Sequence, residues 1–405
     1  MESLLSLLRR HWDQEPTPNP SHQEGNGQDT ERCLLPSWEG SGVGRFTERP
    51  VRTLRAPRAL ALCPDRTRSP AGRLVPVIVR AVCRRLTVCV GLFGWIIALL
   101  LTAQETAQFS AIQSLAGREM RLEFSAPAGR NYRIEVSTNL LQWESLLTLS
   151  SQGLNEHTDS ATPYFASRIY RAFQLDGANI LTGDHLPTDN GDVIFHPINH
   201  ATLIMSWNGK MIYNDPVGDP AAFQGIPRAD LILISHAHGD HFSNSTLGMV
   251  TNSGSVILSP SVVYNGMPAA LKILTRVMTN GAITQVMGLT IEAVPAYNLT
   301  SSYHPKGVGN GYVLTLGGRR VYLSGDSEDI PEMRSLQDID VAFVCMNVPF
   351  TMPVDKASSA VRDFRPRVVY PYHYRNQAGS LADLSGFKRQ VGNDLGSEVR
   401  LRNWY

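Results

Sequence analysis

The sequence predicts an α/β fold for its C-terminal half, preceded by a small all-β module and by an apolar export or anchor segment. Three observations carry this reading. Leu86–Ala103 is an uncharged apolar run. Residues 108–175 hold short alternating segments separated by turn signals. Beyond residue 190, apolar strands of the buried kind end in polar, histidine-bearing turns, and a helix-like stretch, Val354–Phe364, precedes one of the last strands.

The N-terminal residues contrast with the rest. The chain has 405 residues with 37 basic and 36 acidic side chains, a formal charge of +1, which gives no ground for nucleic-acid binding by the whole protein. Residues 1–85 contain 14 arginines, no lysine and nine acidic residues, and are rich in Pro, Gly, Ser and Gln. Such a segment buries too little apolar surface to offset its chain entropy, so we expect it to be mostly disordered. The functional alternative is a basic arm. The five cysteines form no CxxC pair, which argues against a disulfide framework and a zinc ribbon.

Leu86–Ala103 is 18 residues long, preceded by Arg80, Arg84 and Arg85 and followed by Gln104 and Glu105. That length spans a bilayer as a helix, and the basic flank places the N-terminal side in the cytoplasm. Small residues at Thr102, Ala103 and Ala107 also suit signal-peptidase cleavage, so a cleaved leader and a retained anchor (residues 86–104) both stand. With no methionine between Met1 and Met120, a start near residue 75 would use another codon, and residues 1–75 would not be made. In either case the catalytic part is expected outside the cytoplasmic membrane, periplasmic or extracellular. Cys345, in an apolar run, is expected in the core.

Residues 108–175 should form a separate module of five or six strands. Arg121–Phe124, Tyr132–Val136 and Ser167–Phe173 alternate, with Tyr132 and Trp143 as core aromatics. AGRNYRIEVSTNLLQWESL and SRIYRAFQL resemble a small β-sandwich module of exported bacterial proteins, which implies carbohydrate or surface binding as an alternative role.

The chemistry lies further on. Ile198–Trp207 reads as an apolar strand, Asn208-Gly209 as a hairpin turn, and Met211 onward as the return strand ending at Asp215. A second apolar strand from Ala229 runs into Ser235-His-Ala-His-Gly-Asp-His, placing His236, His238, Asp240 and His241 within six residues. Imidazoles and a carboxylate at the end of a buried strand are costly without a partner. Alternation sets His236 and His238 on one side, and the Gly239 turn directs Asp240 and His241 to a second position. Zinc favours this mixture, and paired sites use it to activate water. No G-x-S-x-G elbow is present, and Cys345 has no base in its sequence context.

At SHAHGDH the chain resembles the metallo-β-lactamase superfamily, whose signature is H-x-H-x-D-H. The stretches INHATLIMSWNGKMIYNDPVGDP, YLSGDSEDIPEM and YPYHY are similar to the branch that includes ascorbate-6-phosphate lactonase. The resemblance covers residues 180–405 and implies an αβ/βα sandwich with metals at one edge. It implies one or two divalent cations, zinc first and manganese second, and hydrolysis of an ester, lactone or phosphodiester-type substrate by a metal-bound hydroxide oriented by Asp240. It assigns the bridging carboxylate to Asp326, in Ser-Gly-Asp-Ser, and the last histidine to His373. The remaining histidine usually follows a strand as A-x-H. Here that strand leads to Ala296-Tyr-Asn, so His304, the only histidine between residues 242 and 372, is the candidate. Asp215 is expected to support the ligand turn, His200 to face the cavity or the core, and Lys306 with its glycine-rich run either to meet an anionic substrate or to form a plain connecting loop. A flavodiiron-type oxidoreductase would carry Glu at His238 and a flavin module, so hydrolysis is favoured. The alternative is a binding protein whose metal domain has decayed.

Overall fold

Strands buried on both faces organise the catalytic half. Leu231 and Leu233 enter one core while Ile232 and Ile234 enter another, and the same alternation separates Leu203 and Met205 from Ile204. Continuous apolar runs of this kind mark strands covered on both sides. The computed structural model describes residues 107–177 and 180–404. The expectations for residues 1–85 and 86–104 lie outside the described residues. Among those residues no helix is long and apolar enough to cross a membrane.

The first six strands are β1 (Gln108–Ser114), β2 (Met120–Ser125), β3 (Asn131–Ser137), β4 (Glu144–Ser150), β5 (Leu154–Asp159) and β6 (Ile169–Leu175). They are followed by β7 (Gly183–Leu186), β8 (Val193–Asn199), β9 (Thr202–Trp207), β10 (Lys210–Asn214) and β11 (Leu231–Leu233). Helix α1 (Asn244–Val250), β12 (Val256–Ser259), α2 (Ser261–Asn265), α3 (Ala269–Lys272) and β13 (Thr275–Val277) complete that side. The second side has β14 (Ile283–Val286), β15 (Leu289–Ala296), β16 (Gly309–Leu316), β17 (Arg319–Leu323), α4 (Pro331–Arg334) and β18 (Val341–Cys345). It ends with α5 (Val354–Phe364), β19 (Val368–Tyr372), α6 (Leu384–Val391) and β20 (Glu398–Val399).

Two sheets face each other. One has the order β13-β12-β11-β10-β9-β8-β7-β4-β3-β6, the other β14-β15-β16-β17-β18-β19-β20. Phe195 of β8 meets Phe343 of β18 across the interface, ring centroids 5.3 Å apart. Leu247 and Val250 of α1 and Leu271 of α3 cover the outer face of the first sheet. Phe364 of α5 packs edge-on against Tyr322 of β17, covering the outer face of the second. The result is an αβ/βα sandwich.

The turn between β9 and β10 is the expected one: Trp207 pairs with Lys210, and Asn208 and Gly209 both take positive φ (47° and 70°), as a type I′ turn requires. The strand expected over residues 198–207 is instead two. His200, at φ 46°, breaks it into a hairpin between β8 and β9.

The β module also differs from expectation. The strands β1-β2-β5 pack on β4-β3-β6 through Leu122, Phe124, Tyr132 and Ile134, as a small sandwich. It is not separate, however, because β4 pairs with β7 (Leu147 with Asp184, Thr148 with Gly183), so the module extends the catalytic sheet. The described residues accordingly fall in one compact unit. An unpaired β7 would present a bare edge, and β4 covers it. Trp143 is only half-buried, lying under the Arg171 guanidinium at 4.0 Å, whereas Tyr132 is core.

Polar contacts fix the same junction. Asp184 accepts hydrogen bonds from Tyr370 Oη (2.7 Å) and Arg402 Nε (2.8 Å), with Arg400 3.9 Å away. Ser160 Oγ donates to Glu398 (2.7 Å), and Tyr164 Oη to the Ser397 carbonyl (2.9 Å). Burial opposes the charge on Asp184, but Arg402 and Arg400 hold its pKa well below the usual carboxylate range. Asp184→Ala leaves two largely buried guanidinium groups without this partner, so we predict a loss of about 3–5 kcal/mol in urea unfolding, with module and catalytic half unfolding in one transition. Two transitions with an unchanged midpoint for the catalytic half would show that the module is independent.

Candidate metal centre

Strand β11 ends at Leu233, and the chain then turns tightly, His241 N–H and Phe242 N–H both donating to the His238 carbonyl (3.0 and 2.9 Å). Ser243 caps α1 immediately afterwards by accepting from Thr246 N–H. This fixes the His236–His241 segment between a buried strand and a helix.

Asp215 anchors it. The residue follows β10 at φ 42° and is fully buried. Its Oδ1 accepts the Ser235 N–H (2.7 Å), and its Oδ2 accepts the Ser235 hydroxyl (2.7 Å) and the His241 Nδ1–H (2.9 Å). Because the Ser235 hydroxyl gives its proton to Asp215, its oxygen accepts from His236 Nδ1 at 2.9 Å. Both rings therefore carry a proton on Nδ1 and turn Nε2 inward, the nitrogen left to face a metal ion.

His304 is oriented in the same way. Asn298 Nδ2 donates to Glu328 Oε1 (3.0 Å) and the Phe350 carbonyl (2.8 Å), which directs its Oδ1 to His304 Nδ1 at 2.6 Å. Glu328 also accepts from Thr300 Oγ1 (2.7 Å) and so holds the loop. His373 closes β19 at φ 46°, its N–H donating to the His200 carbonyl (3.2 Å). Its Nδ1 lies 3.3 Å from the Asn347 amide, whose buried oxygen is otherwise unpartnered and meets the ring N–H when the amide is turned end for end.

These side chains converge on two positions. His236 Nε2 lies 3.0 Å from His238 Nδ1, which lies 3.2 Å from His304 Nε2. His373 Nε2 lies 3.0 Å from His241 Nε2 and 3.3 Å from Asp240 Oδ2. Asp326 spans the two groups, Oδ2 3.5 Å from His304 Nε2, and Oδ1 3.4 Å from His241 Nε2 and 3.5 Å from His373 Nε2. All seven candidate ligands are thus brought together.

The donor set fits divalent metal ions. Asp326 Oδ1 is buried with no hydrogen-bond partner, an arrangement that costs free energy unless a cation faces it. The spacings are close to the edge of a tetrahedron with zinc–nitrogen bonds, about 3.3 Å. The electrostatics also call for positive charge. Burial opposes ionisation of Asp326, yet His373 and His241 hold its pKa well below the ordinary carboxylate value. Burial likewise opposes a charge on His241, yet Asp326 and Asp215 raise its pKa well above the usual imidazole value.

The other expected residues fall outside the two groups. His200 packs its ring edgewise on His373, centroids 5.0 Å apart, and burial with the neighbouring His373 lowers its pKa to about 4. Lys306 does not line the cleft: its ammonium donates to Tyr297 Oη (3.0 Å) and Glu332 (3.2 Å) instead. Cys345 is buried, its thiol pushed up to about 12 by burial. Asn298, Glu328 and Asn347 were missed as orienting residues.

Residues 196–373 match the model of the beta-lactamase superfamily domain. A UPF0173 metal-dependent hydrolase of Pyrococcus abyssi is 32% identical over 208 residues, which cover 48% of this chain and 91% of the relative. Another from Thermococcus onnurineus is 34% identical over 194 residues, covering 45% and 86%. A crystal structure from Parabacteroides distasonis, described as a metal-dependent hydrolase, is 38% identical with a TM-score of 0.50, covering 55% of this chain and 99% of that one.

Removing the Asn298 amide frees the His304 ring to rotate. We predict that Asn298→Ala weakens binding of one of two metal ions by roughly 10–100-fold, and that His304→Ala lowers the stoichiometry from about two towards one by elemental analysis. His200→Ala should leave the stoichiometry unchanged. Full retention of both ions in His304→Ala with loss of one in His200→Ala would reverse these two assignments.

Proposed function

The chain belongs to the metallo-β-lactamase superfamily, among its UPF0173 metal-dependent hydrolases, and from that membership we propose hydrolysis of an ester, lactone or phosphodiester-type small molecule at a two-ion centre. The observation that supports this best is the unpartnered, buried Asp326 oxygen set between two groups of imidazoles. His236, His238 and His304 would hold one ion, Asp240, His241 and His373 the other, and Asp326 both. Bound ions of this kind lower the pKa of a coordinated water and polarise the substrate oxygen. Zinc is the proposed metal, on the nitrogen-rich donor set, with manganese as the alternative.

The protein's own groups then have separate tasks. Asp240 is 45% exposed at its side chain, whereas Asp326 is 4% exposed, so Asp240 is the carboxylate of the cluster that an entering water meets. Its oxygen would accept a hydrogen bond from that water's O–H and so aim the water's lone pair at the substrate. Asp215, Ser235, Asn298 and Glu328 keep the imidazoles in place through the reaction, so no reorganisation is needed as charge develops. No side-chain nucleophile is required.

Export to the periplasm or beyond belongs to the same proposal, supported by the Leu86–Ala103 run behind three arginines. A small-molecule partner, rather than nucleic acid, agrees with the near-neutral charge.

Chelation should abolish hydrolysis and added zinc should restore it, with about two ions per chain by elemental analysis. Asp240→Ala is expected to lower kcat by about 100-fold or more. Activity that survives complete metal removal would overturn the proposal.

A further inference from the structure

We propose that the substrate is an uncharged carboxylic ester or lactone with an apolar acyl chain, rather than a phosphodiester. This rests on the hydrolase reading above and narrows it to one substrate class.

A cleft of about 240 Å³ opens on His236, His238, His304 and Asp326. Its remaining walls are Ala237, Val262, Ala296, Tyr303, Pro305, Val308 and Gly309, and neither lysine nor arginine lines it. Val262, Tyr303 and Val308 are 39%, 45% and 38% exposed. Single exposed apolar residues need no explanation, but three around one opening beside buried ionisable groups mark a binding surface. Tyr303 is braced edge-on by Phe350, centroids 4.9 Å apart. The Phe350 carbonyl also holds Asn298, so the apolar wall and the His304 ligand are tied to one support.

The charge pattern selects the class. A phosphodiester brings a negative charge before the reaction begins, and sites for it commonly add Arg or Lys clamps to the metal ions themselves. The cation of this loop, Lys306, is bound to Tyr297 and Glu332 instead. A neutral ester needs no such clamp, because its charge appears only as the tetrahedral centre forms beside the ions. The cleft has room for roughly eight non-hydrogen atoms at about 30 Å³ each, the share of a liquid water. That suits an acyl chain of medium length. In the reaction, the water oxygen bonds to the acyl carbon and the bond from that carbon to the alkoxy oxygen breaks. One water proton passes to the alkoxide, and the other leaves from the new acid. The products are a carboxylate and an alcohol, joined in one hydroxy acid when the substrate is a lactone.

The test uses the full, metal-loaded protein with p-nitrophenyl acetate, butyrate, hexanoate and octanoate and with bis-p-nitrophenyl phosphate. Each methylene that enters the cleft is worth up to about fourfold. We expect kcat/KM to rise at least tenfold from acetate to hexanoate and to exceed that for the phosphodiester. By calorimetry, hexanoate should bind at least tenfold more tightly than acetate or dimethyl phosphate. Val308→Arg should flatten both chain-length series while the protein keeps its metal content. Faster turnover of the phosphodiester, or esters turned over without regard to chain length, overturns the substrate class and leaves the hydrolase reading intact. If protein carrying both ions turns over none of the five, the hydrolase reading falls and this inference falls with it.

Discussion

The structure is organised around a carboxylate that has nowhere to send one of its lone pairs. Asp326 Oδ1 is buried without a hydrogen-bond donor, with His241 and His373 nitrogens 3.4 and 3.5 Å away. A buried charge is tolerated only when opposite charge or donors compensate it. Here the compensation is left to ions, and the surrounding residues hold that arrangement open. Ser235, Asp215, Asn298 and Asn347 each bind the outward nitrogen of an imidazole, which turns the inward nitrogen to the centre. The two sheets supply the rigidity. The ligand turn leaves β11 of one sheet, while Asp326 and His373 follow β17 and β19 of the other. The centre therefore sits where both sheets end, and its geometry depends on their packing.

Three of the nine described non-glycine residues with positive φ lie at the same place. Asp215, His200 and His373 all take positive φ, between 42° and 46°, although none is glycine. Such conformations persist only where the surroundings over-determine them. Two of the three are joined directly, the His200 carbonyl accepting the His373 N–H. Gly309 meets a different limit: a Cβ there would lie 3.1 Å from the Ala296 carbonyl and 3.6 Å from His236 Cβ, so a side chain would need β15 to give by a few tenths of an ångström beside the ligand turn.

Much of this was legible in the sequence, because the ligand turn is local. His236, His238, Asp240 and His241 lie on six consecutive residues, and strand alternation with a glycine turn is enough to sort them into two groups. Asp326 and His373 were legible as polar ends of apolar strands, together with the resemblance. His304 was reached by elimination, and its support was not legible. Asn298 is six residues away in the chain, and Glu328, which orients it, is 30 residues further on, so only the folded loop unites them. The anionic-substrate reading of Lys306 fails for a related reason: a cation near the ligands in sequence need not face them, and Glu332, 26 residues later, captures it. The β module was recognised as strands, but its two-pair contact with β7 is an edge contact with no pattern of its own.

That edge contact bears on how the centre is held. The β4–β7 pairing is short, and the ion pairs of Asp184, Glu398 and Arg400 join it to the end of the second sheet near β20. The module is thus fixed to both sheets of the sandwich, through β7 on one and through Glu398 on the other. Tyr370 donates to Asp184, and two residues later Tyr372 Oη accepts the Gly325 N–H (2.9 Å), next to Asp326. One strand, β19, therefore carries a contact with the module-bearing junction, a contact with the turn that presents Asp326, and at its end His373. The module closes the sheet edge at β7, and β7 in turn holds β19 through the Asp184–Tyr370 hydrogen bond.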